Sequence, residues 1–368
     1  MQNNILLEIK NLSTHFFARD GTVKAVQNVS FAVEKGKTFA LVGESGCGKS
    51  TIALSILRLV QEPQGKIVSG EIIFEGQNLL RLREKQIRQI RGNKIAMVFQ
   101  EPMTSLNPVY TVGNQIAEAI KLHQRKSARQ AWADAVDTLK KVGISEPINW
   151  AKMYPHQLSG GMQQRIMIAM AVSCEPALLI ADEPTTALDV ATGAQILDLL
   201  DELQKQNGMS ILLITHDLAV VAQRADDVAV MYASRIVEIA DSQQLVTKPY
   251  HLYTQGLLQC LPRLGPKNPQ INLGAKPVSS EVERYLAPQF IAGLSANRLP
   301  TIPGAVPEPL NFPTGGKFHP RCPIGCNDKM CQTIEPELRQ VQPGRSVACW
   351  HAPSYEEKDK IRNPKHEI

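Results

Sequence analysis

The feature that most constrains this chain is the octapeptide GESGCGKS at residues 43–50. It matches G-x-x-x-x-G-K-[ST], a pattern in which a glycine-rich loop binds phosphate oxygens through its backbone N–H groups. The apolar run TFALV precedes the octapeptide, and the apolar-periodic stretch TIALSILRLV follows it. The sequence therefore predicts a strand, a phosphate-binding loop and a helix in direct succession.

Further apolar runs indicate the sheet that carries this loop. Residues 38–42, 94–99, 177–181 and 211–215 are short, continuous and bounded by turn residues. Such runs are typical of strands that are covered on both faces, as in a parallel sheet with crossover helices. Residues 114–144 instead place apolar residues at helical spacing with charges between them, and they predict a helical subdomain inserted between two sheet elements.

Composition and charge exclude several classes of protein. Hydrophobic residues make up 43% and charged residues 20%, a globular balance that argues against general disorder. A net charge of +5 on 368 residues does not indicate a nucleic-acid partner, and the basic run at 81–94 lacks interleaved aromatics. We interpret that run as a solvated helix face. The sequence shows neither a membrane-spanning apolar run nor a signal peptide, so we expect a soluble, cytoplasmic protein that reaches membranes only through partners.

A shift in composition near residue 262 predicts two regions. Residues 262–368 carry 16 of the 24 prolines, so regular helices and central strands should be scarce there. We therefore expect a nucleotide-binding domain at 1–261, with its helical subdomain at about 101–170, and a C-terminal extension at 262–368. Within the extension, mixed polar and Pro/Gly character predicts a surface excursion at 263–296.

Polar residues that follow the predicted strands complete a nucleotide site. Lys49 should neutralise the β- and γ-phosphates, and the Ser50 hydroxyl should ligate Mg²⁺. Asp182 ends an apolar run and can hold Mg²⁺ through water, while Glu183 is placed to activate an attacking water as general base. The alternative for Glu183 is a carboxylate that caps the next helix. His216 follows another strand at the edge where open α/β sheets bind ligands.

The segment LSGGMQQR at residues 158–165 adds a second phosphate cradle at the start of a helix. With it, the chain resembles the nucleotide-binding subunits of ABC transporters, with six motifs in family order over roughly residues 5–260. The resemblance implies ATP-binding residues at Phe16, Gly43, Glu44, Ser45, Gly46, Cys47, Gly48, Lys49, Ser50, Thr51, Gln100 and His216. Phe17 is the alternative to Phe16 for stacking on adenine. The resemblance also implies a signature acting on the opposite subunit's ATP at Ser159, Gly160, Gly161 and Gln163, a D-loop at Asp189, catalysis by Lys49, Glu183 and His216, and magnesium at Ser50, Gln100 and Asp182.

The fold that the resemblance implies is α/β, an ABC-type P-loop NTPase with a mostly parallel sheet, an antiparallel β subdomain, a helical subdomain and a Pro-rich C-terminal extension. Its cofactors are ATP and Mg²⁺. Its partners are a second ABC ATPase subunit, expected to be a distinct paralogue, two membrane permease subunits and an extracytoplasmic solute-binding protein, with no nucleic acid. The expected location is peripheral, on the cytoplasmic face of the inner (plasma) membrane.

Four segments look like the dipeptide/oligopeptide/nickel permease group, namely residues 101–119, 248–258, 298–309 and 318–322. We therefore expect an ATPase that energises import of di- or oligopeptides. The alternative within the family is an importer of nickel or another small solute. A non-transport ABC ATPase of DNA repair or translation is the alternative from another class. The compact interval between the two phosphate motifs and the presence of one cassette argue against it.

Cys322, Cys326, Cys331 and Cys349 lie within one 28-residue window. Four thiolates suit one tetrahedral zinc ion or one 4Fe–4S cluster. Some members of the resembled group hold a 4Fe–4S cluster here, which makes the cluster our expectation, with zinc or no metal as alternatives. The sequence departs from the family pattern, because Gly316 stands where the first cysteine is expected and Cys326 is extra. A cluster would be structural, or alternatively a redox or iron sensor that gates transport. We take the nearby His319 and His351 as surface residues.

Overall fold

The structure, a computed structural model, describes residues 4–101, 105–260 and 301–353. The strands are β1 (Ile5–Ala18), β2 (Gly21–Glu34), β3 (Thr38–Val42), β4 (Gly65–Phe74), β5 (Gln77–Asn78), β6 (Ile95–Val98), β7 (Leu178–Asp182), β8 (Ser210–Thr215), β9 (Asp227–Tyr232), β10 (Arg235–Asp241), β11 (Arg339–Gln342) and β12 (Arg345–Val347). The helices are α1 (Lys49–Ile56), α2 (Glu84–Ile90), α3 (Val112–Gln124), α4 (Ala128–Lys141), α5 (Pro147–Ala151), α6 (Gly160–Val172), α7 (Val190–Asn207), α8 (Leu218–Arg224), α9 (Ser242–Thr247), α10 (Leu252–Gln259) and α11 (Lys329–Thr333).

The larger sheet has the strand order β11-β12-β10-β9-β3-β8-β7-β6. Its strands β9, β3, β8, β7 and β6 pair in parallel, as the predicted apolar runs required. Register places Val42 beside Thr215, and Asp182 beside Ile214. The ends of β3, β7 and β8 therefore meet at one edge, and the loops that leave this edge carry the predicted phosphate-site residues.

The smaller sheet, of order β2-β1-β4-β5, is antiparallel. Helix α1 packs against β1 and β2 of this sheet and against β7 of the larger one. Side chains from both sheets and from α1 form one buried cluster, including Leu7, Leu41, Ile52 and Ile180. The cluster fixes the helix behind the phosphate-binding loop, because burial of these apolar side chains is the main stabilising term.

A second cluster covers the opposite face of the larger sheet. Along β7, Leu178 and Ile180 belong to the first cluster, whereas Leu179 and Ala181 belong to the second, as the period of a strand requires. Helices α3, α4, α6 and α7 supply much of the second cluster, and strands β6 and β8 supply further side chains. The helical structure predicted over 114–144 is confirmed by α3 and α4. The run at 81–94 forms only the short helix α2, which ends at Ile90.

The described part of the extension does more than cover the surface. Strand β12 pairs antiparallel with β10, and β11 pairs with β12, so the extension continues the larger sheet. At this junction the buried Arg345 guanidinium donates to the buried Glu238 carboxylate at 2.8 Å. Residues 263–296, the predicted surface excursion, lie outside the described residues. Among the helices that the structure describes, none combines the length and apolar character needed to cross a membrane.

Candidate functional site

The loop at residues 43–50 has the backbone geometry of a phosphate cradle. Gly46 and Gly48 adopt positive φ values of 79° and 107°, which residues with a side chain rarely adopt. A Cβ on Gly48 would lie 2.2 Å from the carbonyl oxygen of Ala25, so only glycine fits there. Helix α1 begins at the next residue and turns its free N–H groups toward the loop.

Lys49 is buried inside this loop. Its ammonium group donates to the carbonyl oxygens of Gly43 at 2.7 Å and Glu44 at 3.1 Å. The Cys47 side chain is also buried, and burial raises the pKa of its thiol. Ser45 and Gly46 are exposed at the tip, while Ser50 and Thr51 are half-buried in the first turn of α1. The loop thus holds one cation beneath a ring of backbone donors.

Asp182 lies at the end of β7 and is buried. Burial raises the pKa of its carboxyl group, and a hydrogen bond from Ser50 opposes that rise. Within residues 4–101, 105–260 and 301–353, its Oδ1 atom has no hydrogen-bond partner. A buried, unpartnered carboxylate oxygen beside a hydroxyl is the donor chemistry that Mg²⁺ requires, so Asp182 and Ser50 fit this ion.

Glu183 is surrounded by polar groups from three elements. Its Oε2 atom accepts from Gln100 Nε2 at 3.2 Å and from Thr186 Oγ1 at 2.9 Å, and His216 Nδ1 lies 3.5 Å away. Its backbone has a positive φ of 47°, and its N–H donates to Ile214 on β8. Such strain persists only where the surroundings hold it, and it directs the carboxylate into the site. This arrangement also argues against the simple helix-capping alternative, because Asp189 caps α7.

Thr186 was not singled out from the sequence. Its hydroxyl orients the Glu183 carboxylate, and the spacing of three residues within one turn is the signal that could have found it. Glu44 also has two unforeseen partners. Its N–H donates to the Tyr253 hydroxyl at 3.1 Å, and its carboxylate pairs with Arg321 of the extension at 3.0 Å.

The predicted signature residues lie at the start of α6. The Ser159 hydroxyl caps this helix by accepting from the Met162 N–H at 3.4 Å, and Ser159 and Gly160 are exposed. Gly161 is half-buried, and a Cβ there would lie 2.8 Å from the Thr192 side chain.

Gln163 was expected to face an opposite subunit, but its side chain is buried. Its amide donates to the carbonyl oxygens of Pro155 at 2.9 Å and Leu158 at 3.3 Å. The side chain therefore holds the turn that leads into α6 and is not presented at the surface. Its position three residues before the buried Ile166, on the same helix face, could have indicated this.

Two other predicted residues serve local structure. The Asp189 carboxylate accepts from the Thr192 N–H at 2.9 Å and from its hydroxyl at 2.7 Å. These bonds lower the pKa of the carboxyl group, and they begin α7 at a defined residue. Phe16 on β1 is half-buried, and its ring lies so close to Gly65 that a Cβ there would approach it to 2.8 Å. Phe17 is 47% exposed.

The extension forms a second candidate site around its cysteines. Cys322, Cys331 and Cys349 line one cavity. Burial raises the pKa of all three thiols, that of Cys331 to about 12. A Cβ on Gly325 would lie 3.2 Å from the Cys322 sulfur, so the glycine leaves the wall of the cavity open. Cys326 differs from these three because it is exposed, with its thiol 3.7 Å from the Pro323 carbonyl oxygen.

Other donors approach the same cysteines. Ligand atoms of Asp328, Cys331 and His351 lie within 4.8 Å of one another, and His351 Nε2 is 2.7 Å from the Asp328 carboxylate. His351 is exposed, as expected from the sequence, and it also lies next to Asp328 and Cys331. His319 Nδ1 lies 3.0 Å from the Gly316 carbonyl oxygen and takes no part in this group.

Comparison with known proteins gives two family matches. Residues 26–186 match the family described as ABC transporter. Residues 237–284 and 289–331 match the C-terminal region of oligopeptide/dipeptide transporters. The first match covers the phosphate loop, the signature and Glu183, and the second covers Cys322, Cys326 and Cys331.

Curated relatives align over nearly the whole chain. The probable peptide ABC transporter ATP-binding protein y4tR of Sinorhizobium fredii is 46% identical, over 96% of this chain and 98% of its own length. The oligopeptide transport ATP-binding protein AppD of Bacillus subtilis is 46% identical, over 94% of this chain and 96% of its own. The dipeptide transport ATP-binding protein DppD of Escherichia coli is 43% identical over the same shares.

A solved structure agrees with the fold. The dimeric post-hydrolysis ATP-binding cassette MJ0796 with ADP and phosphate has a TM-score of 0.58 and 28% identity, covering 64% of this chain and 99% of that one.

Proposed function

This chain belongs to the family of ATP-binding proteins of ABC transporters, and from this premise we propose that it hydrolyses ATP to drive import of di- or oligopeptides. The observation that carries the proposal is that an ABC transporter match and a C-terminal region of the oligopeptide/dipeptide transporter type occur in one chain. Relatives that align over nearly the whole chain are named for peptide transport.

We assign the phosphates of ATP to the loop at residues 43–50 and to Lys49. Its glycine backbone supplies N–H donors, and the ammonium group, already seated in the loop, adds the positive charge that the β- and γ-phosphates need. Ser50, Asp182 and Gln100 are the residues that would hold Mg²⁺, which when bound neutralises developing charge on the transferred phosphoryl group. Phe16 is our candidate for contact with adenine.

Glu183 is our candidate general base. Gln100, Thr186 and His216 all approach its Oε2 atom, so the carboxylate is held in one orientation. An oriented carboxylate can accept a proton from a water that attacks the γ-phosphate. We assign to His216 the positioning of this water and of the γ-phosphate.

A second ATPase subunit, a distinct paralogue, would complete the site. Ser159 and Gly160 lie exposed at the start of α6, where backbone N–H groups can bind phosphate from outside the chain. We propose that Ser159, Gly160 and Gly161 close over the partner's ATP, with Asp189 at the same interface. Two permease subunits and an extracytoplasmic solute-binding protein complete the importer, with this chain on the cytoplasmic face of the membrane.

We propose the domain division at 1–261 and 262–368, with the helical subdomain at about 101–170. The extension is joined to the cassette through the pairing of β12 with β10, so the boundary marks a change of composition and role along one continuous sheet. The second family match begins at residue 237, within β10 and therefore before this boundary.

We further propose that the extension holds a 4Fe–4S cluster. Cys322, Cys331 and Cys349 share the walls of one cavity, and Cys326 follows on the adjoining turn. Four thiolates are the ligand set such clusters use. The competing arrangement is a zinc ion on Asp328, Cys331 and His351.

Two variants separate these metals. Protein purified without oxygen should contain about four iron atoms and absorb visible light, and Cys326→Ser should lose iron while His351→Ala keeps it. Zinc that survives Cys326→Ser and is lost in His351→Ala would contradict the cluster and support the mixed site. Protein that contains neither metal would contradict both.

Peptide uptake by a strain that lacks this protein tests the main proposal. Labelled di- and oligopeptides should be taken up after wild-type protein is restored, and not after Lys49→Ala or Glu183→Gln is restored. Normal peptide uptake in the deleted strain would refute the peptide assignment. Loss of nickel uptake alone would identify a nickel importer with the same ATPase.

A further inference from the structure

A short part of the extension, residues 317–322, lies against the phosphate-binding loop. We call it the bracing segment. Phe318 at its centre is buried between Tyr232 and Tyr253, with ring centroids 5.2 and 5.5 Å apart. Lys317 and Arg321 on either side are buried as well, although both carry a charge-bearing group. Buried charged groups need partners: Arg321 pairs with Glu44 of the loop, and Lys317 bonds to Gln27 and to Ala233.

Arg321 reaches Glu44, the second residue of the loop. Its guanidinium donates to one Glu44 carboxylate oxygen at 3.0 Å and to the other at 3.4 Å, in a two-pronged contact. A further bond, to the Pro303 carbonyl oxygen at 3.0 Å, fixes the guanidinium within the extension. The Arg321 side chain is 7% exposed, so water screens this ion pair little.

Glu44 is thereby held on three sides. Its carboxylate binds Arg321, its N–H donates to the Tyr253 hydroxyl at 3.1 Å, and its carbonyl oxygen accepts from the Lys49 ammonium group at 3.1 Å. Lys49, which should contact the phosphates, and Arg321, which lies 277 positions after Glu44, therefore both bind Glu44.

A second chain of contacts reaches the other half of the loop. Lys317 Nζ donates to the Ala233 carbonyl oxygen and to Gln27 Oε1, each at 2.9 Å. The next residue, Ser234, donates its N–H to the Cys47 carbonyl oxygen at 3.2 Å. The bracing segment therefore supports the loop at Glu44 directly and at Cys47 through the turn between β9 and β10.

We propose that Arg321 is a positioning residue of the ATP site, and that through Glu44 it holds the loop in its phosphate-binding shape. This proposal rests on the proposed function, because it assumes that the loop binds ATP. A loop with three glycines loses much conformational entropy when its N–H groups are aligned. The Arg321–Glu44 contact aligns these N–H groups before ATP binds, so less conformational entropy is lost on binding. The affinity for ATP should therefore depend on the docked extension.

The test is nucleotide affinity of the full chain, measured by titration with a fluorescent ATP analogue. Arg321→Gln should raise the Kd on the order of ten-fold, within the usual range of coupling between sites. Glu44→Gln should act similarly, and the double variant should be no weaker than either single one, since both remove the same contact. In steady-state assays the KM for ATP should rise more than kcat falls.

The matched control is Arg235→Gln. Arg235 also joins the cassette to the extension, by a 2.9 Å ion pair with Glu335, and within the described residues no hydrogen bond or ion pair links either side chain to the loop. Its Kd for nucleotide should match that of wild type. If Arg235→Gln raises the Kd as much as Arg321→Gln does, the loss of affinity comes from weaker docking of the whole extension, and the proposal is overturned.

Folding is checked by circular dichroism. A folded Arg321→Gln protein with wild-type Kd, or strictly additive effects with Glu44→Gln, would also overturn the proposal. If Arg321→Gln does not fold, Arg321→Lys is measured instead, because it keeps the charge but loses the two-pronged contact with Glu44. An unchanged Kd in Arg321→Lys would refute the positioning role of Arg321. Wild-type protein that binds no nucleotide would instead refute the proposed function, which separates the two failures.

Discussion

His251 provides a sharp prediction about stability and pH. It is buried at the start of α10, where its Nδ1 atom accepts from the Tyr253 N–H at 3.1 Å and its ring lies 5.6 Å from that of Phe318. Burial lowers the pKa of this imidazole from 6.5 to about 4. The ring is therefore neutral in the folded protein at pH values where the unfolded chain already binds a proton.

The sign and size of the effect follow from this difference. A group with a lowered folded pKa contributes stability above its unfolded pKa, and that stability is lost as pH falls toward the folded value. With pKa values of 6.5 and about 4, the free energy of unfolding should fall by about 2 kcal/mol at pH 5 and about 3 kcal/mol at pH 4 through His251 alone.

His251→Asn isolates this term, because asparagine also accepts from the N-terminal N–H groups of a helix but does not titrate. Urea unfolding of both proteins at pH 7.5 and pH 5 gives the measurement. The wild-type protein should lose about 2 kcal/mol more than the variant between the two pH values. An equal loss in both proteins would refute the assignment of a neutral, buried imidazole.

Other consequences of the structure can be tested in the same preparations. Glu183→Gln should bind ATP, stall hydrolysis and favour the closed dimer, and normal phosphate release in that variant would contradict its assignment as general base. Gly48→Ala should abolish nucleotide binding, because the new Cβ would lie 2.2 Å from a backbone oxygen. The control is Gly36→Ala, which also has a positive φ but has open space around it. This control should lower the free energy of unfolding by about 1 kcal/mol and leave nucleotide binding unchanged. Arg345→Met should lower the free energy of unfolding by about 3–5 kcal/mol in denaturant titration, because it leaves Glu238 buried without its cation. Adding Glu238→Gln to the same chain should restore part of that loss. Additive losses in the double variant would contradict this account.

The sequence predicted the parallel core and the nucleotide edge because both depend on local signals. Each central strand is a short apolar run, and predicted site residues stand where two of the runs stop, with Asp182 as the last residue of β7 and His216 directly after β8. The loop motif fixes its own backbone through glycine. Those elements needed no knowledge of distant contacts.

Long-range contacts within the extension could not be predicted in this way. Strands β11 and β12 have four and three residues, too few to show alternation, and they lie in a proline-rich region. Arg321 is one of several arginines there, and its pairing with Glu44 spans 277 positions. Cys326 was grouped with the other cysteines by spacing alone, which carries no information about the exposure of its sulfur.

The pairing of β12 with β10 also determines which edge of the larger sheet is covered. Without the extension, β10 would become an open edge strand, with the backbone groups around Glu238 and Ile239 free to pair with another chain. Cleavage at the composition shift would therefore produce an aggregation-prone fragment in place of a minimal ATPase. The extension thus covers an edge of the larger sheet that β10 would otherwise leave unpaired.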